Sequence, residues 1–150
     1  MTEMRFYHLE NTSLERALPQ LLSAALSKGH RIVVKTPSEK DSERLNDILW
    51  SFKEDSFLPH GSAKDGHAKD QPIWITHEND NANTADVLVL TGGQDFDGKE
   101  DFALCCDMFE GNDAEHLQQA RTRWKALKDQ EHFKLSYFQQ NENGKWEKKA

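Results

Sequence analysis

Alternation between short apolar runs and helical patterns constrains the fold of this chain more than any other feature of its sequence. Residues 4–9 are rich in strand-forming side chains, and residues 31–35 follow the pattern of a short buried strand. Between these runs, the apolar side chains of residues 14–25 recur at helical spacing, and a second helical pattern extends over 38–52. Because right-handed crossovers join successive parallel strands, this β-α-β-α order predicts a mostly parallel sheet flanked by helices.

The second half of the chain continues with three more strand patterns and one more helix. The strand patterns lie at residues 72–76, 86–90 and 103–109. A helix capped by Asn112 or Asp113 is expected to end near Asp129. Residues 61–71 carry almost no apolar side chains, which predicts an exposed loop. Since 150 residues suit one domain, we expect residues 1–150 to form a single-domain, Rossmann-like α/β fold.

The charge balance limits the partners that this chain can have. Its formal net charge is -7, whereas a general nucleic-acid-binding surface is basic. No apolar run approaches the length that spans a bilayer, and residues 1–5 have neither a basic lead nor an apolar signal core. We therefore expect a cytoplasmic protein with no direct, specific nucleic-acid binding and no membrane association.

The turns after the predicted strands argue against a nucleotide site. A dinucleotide fold needs glycines directly after its first strand, but here residues 10–13 read Glu-Asn-Thr-Ser. Thr91-Gly92-Gly93-Gln94 follows another strand and offers an anion nest as one interpretation. Four acidic residues follow it within ten positions and would repel phosphate, so a plain turn is the favoured interpretation.

Metal binding and nucleophilic catalysis have equally little support. His60 and His67 flank a loop that contains Asp65, but this spacing is loose for a metal site. Cys105 and Cys106 lie inside a predicted core strand, where buried and inert thiols are expected rather than a reactive thiolate. We predict no metal, no cofactor and no catalysis by the chain itself.

The last predicted helix carries a cationic stripe beside a large aromatic side chain. At 100° per residue, one arc contains Trp124, Leu117, Lys128, Arg121 and Lys125 in that order. Beyond Trp124, two residues are predicted to face the sheet, namely Ala120 and Leu127. The stripe is either a solvated face whose Trp124 belongs to the core, or a docking site for an acidic and apolar peptide.

A second apolar cluster falls on a predicted loop. Leu49 and Trp50 end the second helical pattern, and after an acidic spacer residues 56–60 read Ser-Phe-Leu-Pro-His. Loops are normally polar, because a buried loop leaves backbone groups unpaired. Phe57 and Pro59 therefore either fill the protein's own core or contact a partner.

This run, from the Leu-Trp pair to Ser-Phe-Leu-Pro-His, resembles the chi subunit of bacterial DNA polymerase III. In that family it follows the second helix and contacts the psi subunit of the clamp loader. The resemblance implies that Trp50, Phe57 and Pro59 face psi, or a helicase or another clamp-loader subunit that uses the same surface.

Residues 120–125, Ala-Arg-Thr-Arg-Trp-Lys, resemble the last long helix of the same family. There this helix binds the acidic C-terminal tail of single-stranded-DNA-binding protein, which ends in phenylalanine. The resemblance implies that Arg121 pairs with tail carboxylates, that Lys125 assists, and that Trp124 packs against the terminal phenylalanine or proline. The best-known members have a lysine where this chain has Leu117; the loss of this charge implies either a weaker contact or one that is shifted onto Lys128.

The resemblance also covers residues 5–9 and the closing aromatic segment, so it extends over nearly the whole chain. It implies a non-catalytic accessory subunit of the polymerase holoenzyme that links the clamp loader to single-stranded-DNA-binding protein. The alternative on the same architecture is a small nucleotide-binding enzyme, against which the first turn without glycine argues.

Overall fold

The computed structural model describes residues 2–10, 12–50, 60–62, 66–79, 81–143 and 145–150. Within these ranges the α-helices are α1 (Leu14–Ser27), α2 (Glu39–Trp50) and α3 (Ala114–Lys128). The strands are β1 (Thr2–Leu9), β2 (Ile32–Lys35), β3 (His60–Ser62), β4 (Ile73–Thr76), β5 (Val87–Thr91), β6 (Leu104–Glu110), β7 (Phe133–Gln140) and β8 (Trp146–Lys148). In the described part of the chain, no helix is long and apolar enough to cross a membrane.

The described strands form one sheet in the order β3-β4-β2-β5-β6-β1-β7-β8. Each neighbouring pair is parallel except β7 and β8, which form an antiparallel hairpin. β1 lies between β6 and β7, so the first strand of the chain is deep inside the sheet. The predicted α/β fold with a mostly parallel, helix-flanked sheet is therefore confirmed.

Alternating side chains of β1 divide the core into two layers. Tyr7 and Leu9 pack in the layer that contains the buried leucines of α1 and α2. Met4 and Phe6 point to the opposite face, where Ala120 of α3 is buried with them. This period of two follows from strand geometry. The helices therefore cover both faces of the sheet, and α3 covers the face opposite α1 and α2.

The exposed loop that the sequence predicts over 61–71 is wrong at Gly61 and Ser62, which are buried, whereas His67, Lys69 and Asp70 are exposed as predicted and residues 63–65 lie outside the described residues. His60–Ser62 forms the buried edge strand β3, which runs parallel to β4. The side chain of Gln71 packs so closely on Gly61 that an added Cβ would lie 2.8 Å from Gln71 Cδ. The three residues of β3 are small or polar, so their side chains show no apolar alternation that would predict a strand. The strand forms because its backbone pairs with β4.

Thr91-Gly92-Gly93-Gln94 is a tight turn, as favoured from the sequence. Gly92 and Gly93 have φ angles of 61° and 75°, and the Gln94 N–H donates to the Thr91 carbonyl over 3.2 Å. Glycine adopts positive φ without the steric penalty of a Cβ. At Gly92 a Cβ would also collide with the ring of Pro37, so this glycine brings the turn close to the start of α2.

Gly92→Ala should destabilise the domain more than Gly29→Ala does. Gly29 also has a positive φ of 83°, but a Cβ there meets nothing within 4 Å. Gly29→Ala should lower the free energy of unfolding by about 1–2 kcal/mol through backbone strain alone. Gly92→Ala should add a further ~1–3 kcal/mol from the collision with Pro37. Urea denaturation of both variants measures the difference, and equal losses would contradict the packing assigned to Gly92.

Candidate functional site

The helix α3 begins at a strong cap. The Asp113 carboxylate accepts hydrogen bonds from the backbone N–H groups of Glu115 and His116, over 2.9 and 3.2 Å. An N-cap aspartate satisfies backbone donors that a helix leaves unpaired in its first turn. The cap therefore determines the residue at which α3 begins after β6.

A buried ion pair holds the middle of α3 against the sheet. Arg123 donates to both carboxylate oxygens of Asp107 on β6, over 2.6 and 3.0 Å, and the Asp107 side chain is 1% exposed. Burial raises the pKa of Asp107, and the hydrogen bonds from Arg123 oppose this effect. The two parallel hydrogen bonds determine the rotation of α3 about its axis as well as its distance from the sheet.

A groove of about 360 Å³ runs between α3 and β7. Its lining is mostly apolar and consists of Phe6, Phe109, Leu117, Ala120, Arg121, Trp124, Lys125, Tyr137 and Ala150. The Trp124 ring lies edge-on to Phe6 at 5.4 Å and to Tyr137 at 6.1 Å, measured between ring centroids. Trp124 is half-buried, so one part of the ring packs on the core while another part lines the groove.

Arg121 and Lys125 are the cations of this groove. Both side chains are exposed, and within the described residues neither forms an ion pair. Burial raises the pKa of Tyr137, whose ring lines the same groove; the positive charge of Arg121 opposes this effect and the negative charge of Glu10 adds to it. An apolar surface therefore lies beside two cations that are available to a negatively charged ligand.

The carboxyl ends of the central strands enclose a second and smaller cavity of about 150 Å³. Its Arg44 pairs with Glu15 and Asp41, and the same contact with Arg44 lowers the pKa of Glu15. Arg123 also lines this cavity, and its guanidinium forms an ion pair with Asp107. Pockets for ligands of nucleotide size occupy roughly 300–1,000 Å³, so this cavity is too small for a nucleotide. The neighbouring cavity beside Gly92 and Gly93 is larger, about 620 Å³, but its cations Lys99 and Arg123 are paired with Asp95 and Asp107.

The remaining candidates for chemistry lie apart from the groove. Cys105 and Cys106 are buried, and burial raises the pKa of each thiol to about 12, which confirms the prediction of inert cysteines. His60 is buried and lies 3.1 Å from the Asn46 carbonyl, whereas His67 is exposed. Asp65 lies outside the described residues. Within those ranges, no three His, Cys, Asp or Glu side chains are placed to hold a metal ion.

Comparison with known proteins identifies a family. The sequence model described as DNA polymerase III chi subunit, HolC, matches residues 1–134. The chain is 34% identical over 95 residues to the Rickettsia prowazekii (strain Madrid E) protein named Probable DNA polymerase III subunit chi, which covers 63% of the chain and 58% of that protein. It is 25% identical over 136 residues to the Escherichia coli (strain K12) DNA polymerase III subunit chi, covering 85% of the chain and 92% of that protein. The chain belongs to the DNA polymerase III chi subunit family.

In this chi-family protein, the structure brings together part of the predicted tail-binding set. Arg121, Trp124 and Lys125 line the groove beside Leu117. Lys128 is exposed on the last turn of α3 and does not line it. Membership of a family named for a polymerase subunit agrees with the prediction that the chain has no catalysis of its own.

The predicted psi-binding set lies largely beyond the part of the chain that can be described. Phe57 and Pro59 fall within residues 51–59, outside the described residues. Trp50 is the last residue of α2, but its side chain is also outside the description. The assignment of these three residues to a partner surface therefore stays a prediction.

Sequence analysis did not assign a role to several residues that build the chi-family groove. Arg123 is part of the motif of residues 120–125, but the motif gives it no role of its own. Asp107 lies within an apolar strand pattern, and a buried carboxylate needs a cationic partner, so its position was the available evidence for an ion pair with Arg123. Phe6, Phe109 and Tyr137 reach the groove from three different strands. No local pattern predicts that convergence, because it depends on the order of strands in the sheet.

Arg123→Ala should destabilise the domain strongly, because it leaves the Asp107 carboxylate buried and unpaired. The expected loss is ~3–5 kcal/mol in the free energy of unfolding. Lys99→Ala is the matched control, since Lys99 pairs with the exposed Asp95 over 2.7 Å and its removal should cost less than ~1 kcal/mol. Denaturant titration compares the two variants. An Arg123→Ala loss as small as that of the control would mean that the buried pair does not hold α3 in place.

Proposed function

We propose that this chi-family protein is a non-catalytic accessory subunit of the DNA polymerase III holoenzyme that acts in the cytoplasm. It links the clamp loader to single-stranded-DNA-binding protein during DNA replication. The observation that carries this proposal is the groove between α3 and β7, where a half-buried Trp124 lies beside Arg121 and Lys125, two exposed cations that form no ion pair with any described residue.

The chemistry of the groove suits a peptide that is acidic along its length and ends in phenylalanine. A terminal aromatic ring can enter the apolar lining and pack edge-on against Trp124, as Phe6 and Tyr137 already do from the protein side. The carboxylates of the peptide then lie near Arg121, whose planar guanidinium can bind both oxygens of one carboxylate. The aromatic end of the peptide therefore contacts the apolar lining, and its carboxylates contact the cations of the groove.

Charge distribution also favours one docking position for such a peptide. The chain carries a formal net charge of -7, so most of its surface repels an acidic ligand. The exposed Arg121 and Lys125 create a local exception beside the apolar lining. Leu117 provides apolar surface where the best-known family members carry a lysine, so hydrophobic burial should contribute a larger share of the affinity here.

A synthetic acidic peptide that ends in phenylalanine should bind this protein, with affinity that falls as salt rises but does not vanish. Trp124→Ala should cost about 2 kcal/mol or more if the ring is a binding hot spot. Arg121→Ala and Lys125→Ala should each cost about 0.2–1 kcal/mol. Arg121→Glu should cost more than Arg121→Ala because it adds repulsion. Isothermal titration calorimetry at two salt concentrations measures all of these effects.

Two controls distinguish a specific groove from a general basic surface. Lys128→Ala removes a cation from the same helix but outside the groove lining, so it should change the affinity less than Arg121→Ala. The same peptide without its terminal phenylalanine should bind much more weakly than the intact one. Equal binding of the two peptides would refute the proposed tail-binding role.

The clamp-loader side of the proposed link uses Trp50, Phe57 and Pro59, with psi or another clamp-loader or helicase protein as the partner. Phe57→Ala should weaken binding of purified psi by ~2–4 kcal/mol if Phe57 is a hot spot. The melting temperature of the isolated domain should change little. If Phe57→Ala unfolds the domain, the ring belongs to the core and this surface has been assigned wrongly.

A further inference from the structure

A chain of polar side chains leads from the groove into the core. The Tyr137 hydroxyl, in the groove lining, lies 2.6 Å from Nδ1 of His8. On the other side of the imidazole, Glu10 Oε1 lies 3.3 Å from Nε2, within ion-pair distance but without hydrogen-bond geometry. Gln139 donates to the same Glu10 oxygen over 2.8 Å. The proton of the Tyr137 hydroxyl therefore depends on the state of a buried histidine.

The His8 ring is held tightly. It is 6% exposed, and it lies against Phe109 with ring centroids 5.1 Å apart. Gly111 packs so closely on the ring that a Cβ at this position would overlap it. Because the ring has no room to turn away, Nδ1 stays directed at Tyr137 and Nε2 at Glu10.

The protonation of the two ring nitrogens of His8 determines the direction in which the Tyr137 O–H bond points. The Glu10 carboxylate favours a proton on Nε2, so neutral His8 presents a lone pair at Nδ1. Tyr137 then donates its only proton inward to His8, and its oxygen offers lone pairs to the groove. Such an oxygen repels a carboxylate. If His8 carries both protons, Nδ1 donates to Tyr137 and the hydroxyl is free to donate into the groove.

We propose that a ligand carboxylate bound in the groove accepts a hydrogen bond from the Tyr137 hydroxyl, and that His8 takes up one proton from water when it does so. This inference rests on the proposed function, because it concerns the same groove and an acidic peptide. Tyr137 is then a ligand-binding residue, and His8 is a positioning residue that acts through it. Since binding takes up a proton, the affinity rises as the pH falls.

The charged groups around His8 determine how strongly this coupling operates. Glu10, the residue after β1, has a carboxylate oxygen 3.3 Å from Nε2 and favours the second proton, while Glu110 at the end of β6 lines the same surface cleft as Glu10. Arg121 on α3 opposes it, because it acts on the Tyr137 hydroxyl on β7. A bound carboxylate neutralises part of the Arg121 charge and adds a negative charge of its own. The ligand therefore shifts the balance towards protonated His8.

The test measures the affinity of the acidic, phenylalanine-ending peptide between pH 8 and pH 6. For the wild-type protein, uptake of up to one proton should raise the affinity about 3- to 10-fold as the pH falls. The arginine, the lysine and the peptide carboxylates keep their charges over this range. Calorimetry in buffers of different ionisation enthalpy counts the protons taken up directly.

Tyr137→Phe removes the hydroxyl and keeps the ring, so its affinity should show little pH dependence and fall below wild type at pH 6. His8→Asn replaces the imidazole by an amide that does not titrate, and it should also flatten the profile. His116→Gln is the matched control on α3, outside the groove lining, and should keep the wild-type profile. The same peptide with an amidated C-terminus, which retains its side-chain carboxylates, reports whether the terminal carboxylate is the acceptor.

A wild-type pH profile in Tyr137→Phe would overturn the proposal, even if His8→Asn fails to fold. A flat wild-type profile with tight peptide binding would also overturn it while leaving the proposed function intact. Failure of the peptide to bind the wild-type protein at any pH would instead refute the proposed function itself.

Discussion

The hydrogen-bonded pair between Arg123 and Asp107 is the interaction on which the candidate site depends. Asp107 is on β6 near the middle of the sheet, where a carboxylate without a partner would be strongly disfavoured. Arg123 satisfies it from α3, and its two hydrogen bonds to the carboxylate hold the helix in one rotation about its axis. In that rotation, Trp124 comes to lie partly on Phe6, and Arg121 and Lys125 come to the groove. A buried polar contact thus orients a surface that faces solvent.

The position of β1 explains why the groove lies where it does. β1 lies between β6 and β7, so its side chains alternate between the two layers of the core. Phe6 points towards α3 and forms part of the groove lining, while His8, two residues on, contacts Tyr137. Both residues lie on the same face of one strand because side chains of a strand alternate with a period of two. Phe6 in the groove lining and His8 in the polar chain beneath the groove are therefore neighbours on one face of β1.

The groove and the end of α2 lie on different faces of this framework. The groove belongs to the layer of α3, whereas Trp50 ends α2, which packs on the opposite face of the sheet. Their residue types differ as well, because the groove carries two exposed cations, Arg121 and Lys125, whereas the sequence of residues 49–60 is largely apolar apart from its acidic spacer.

The sequence by itself determined the local structure and the residue types of the site. Periodicity predicted the three helices and most strands, and a cap at Asn112 or Asp113 predicted the start of α3, where the structure has Asp113. The arc of Arg121, Trp124 and Lys125 was correct as a helical face. These features depend on neighbours within a few residues of each other. The tertiary structure alone decided that His60–Ser62 becomes a strand, that Arg123 turns inward, and that Tyr137 of the groove meets His8 beneath it. Those outcomes depend on which strands pair, and strand pairing joins residues that are far apart in the chain.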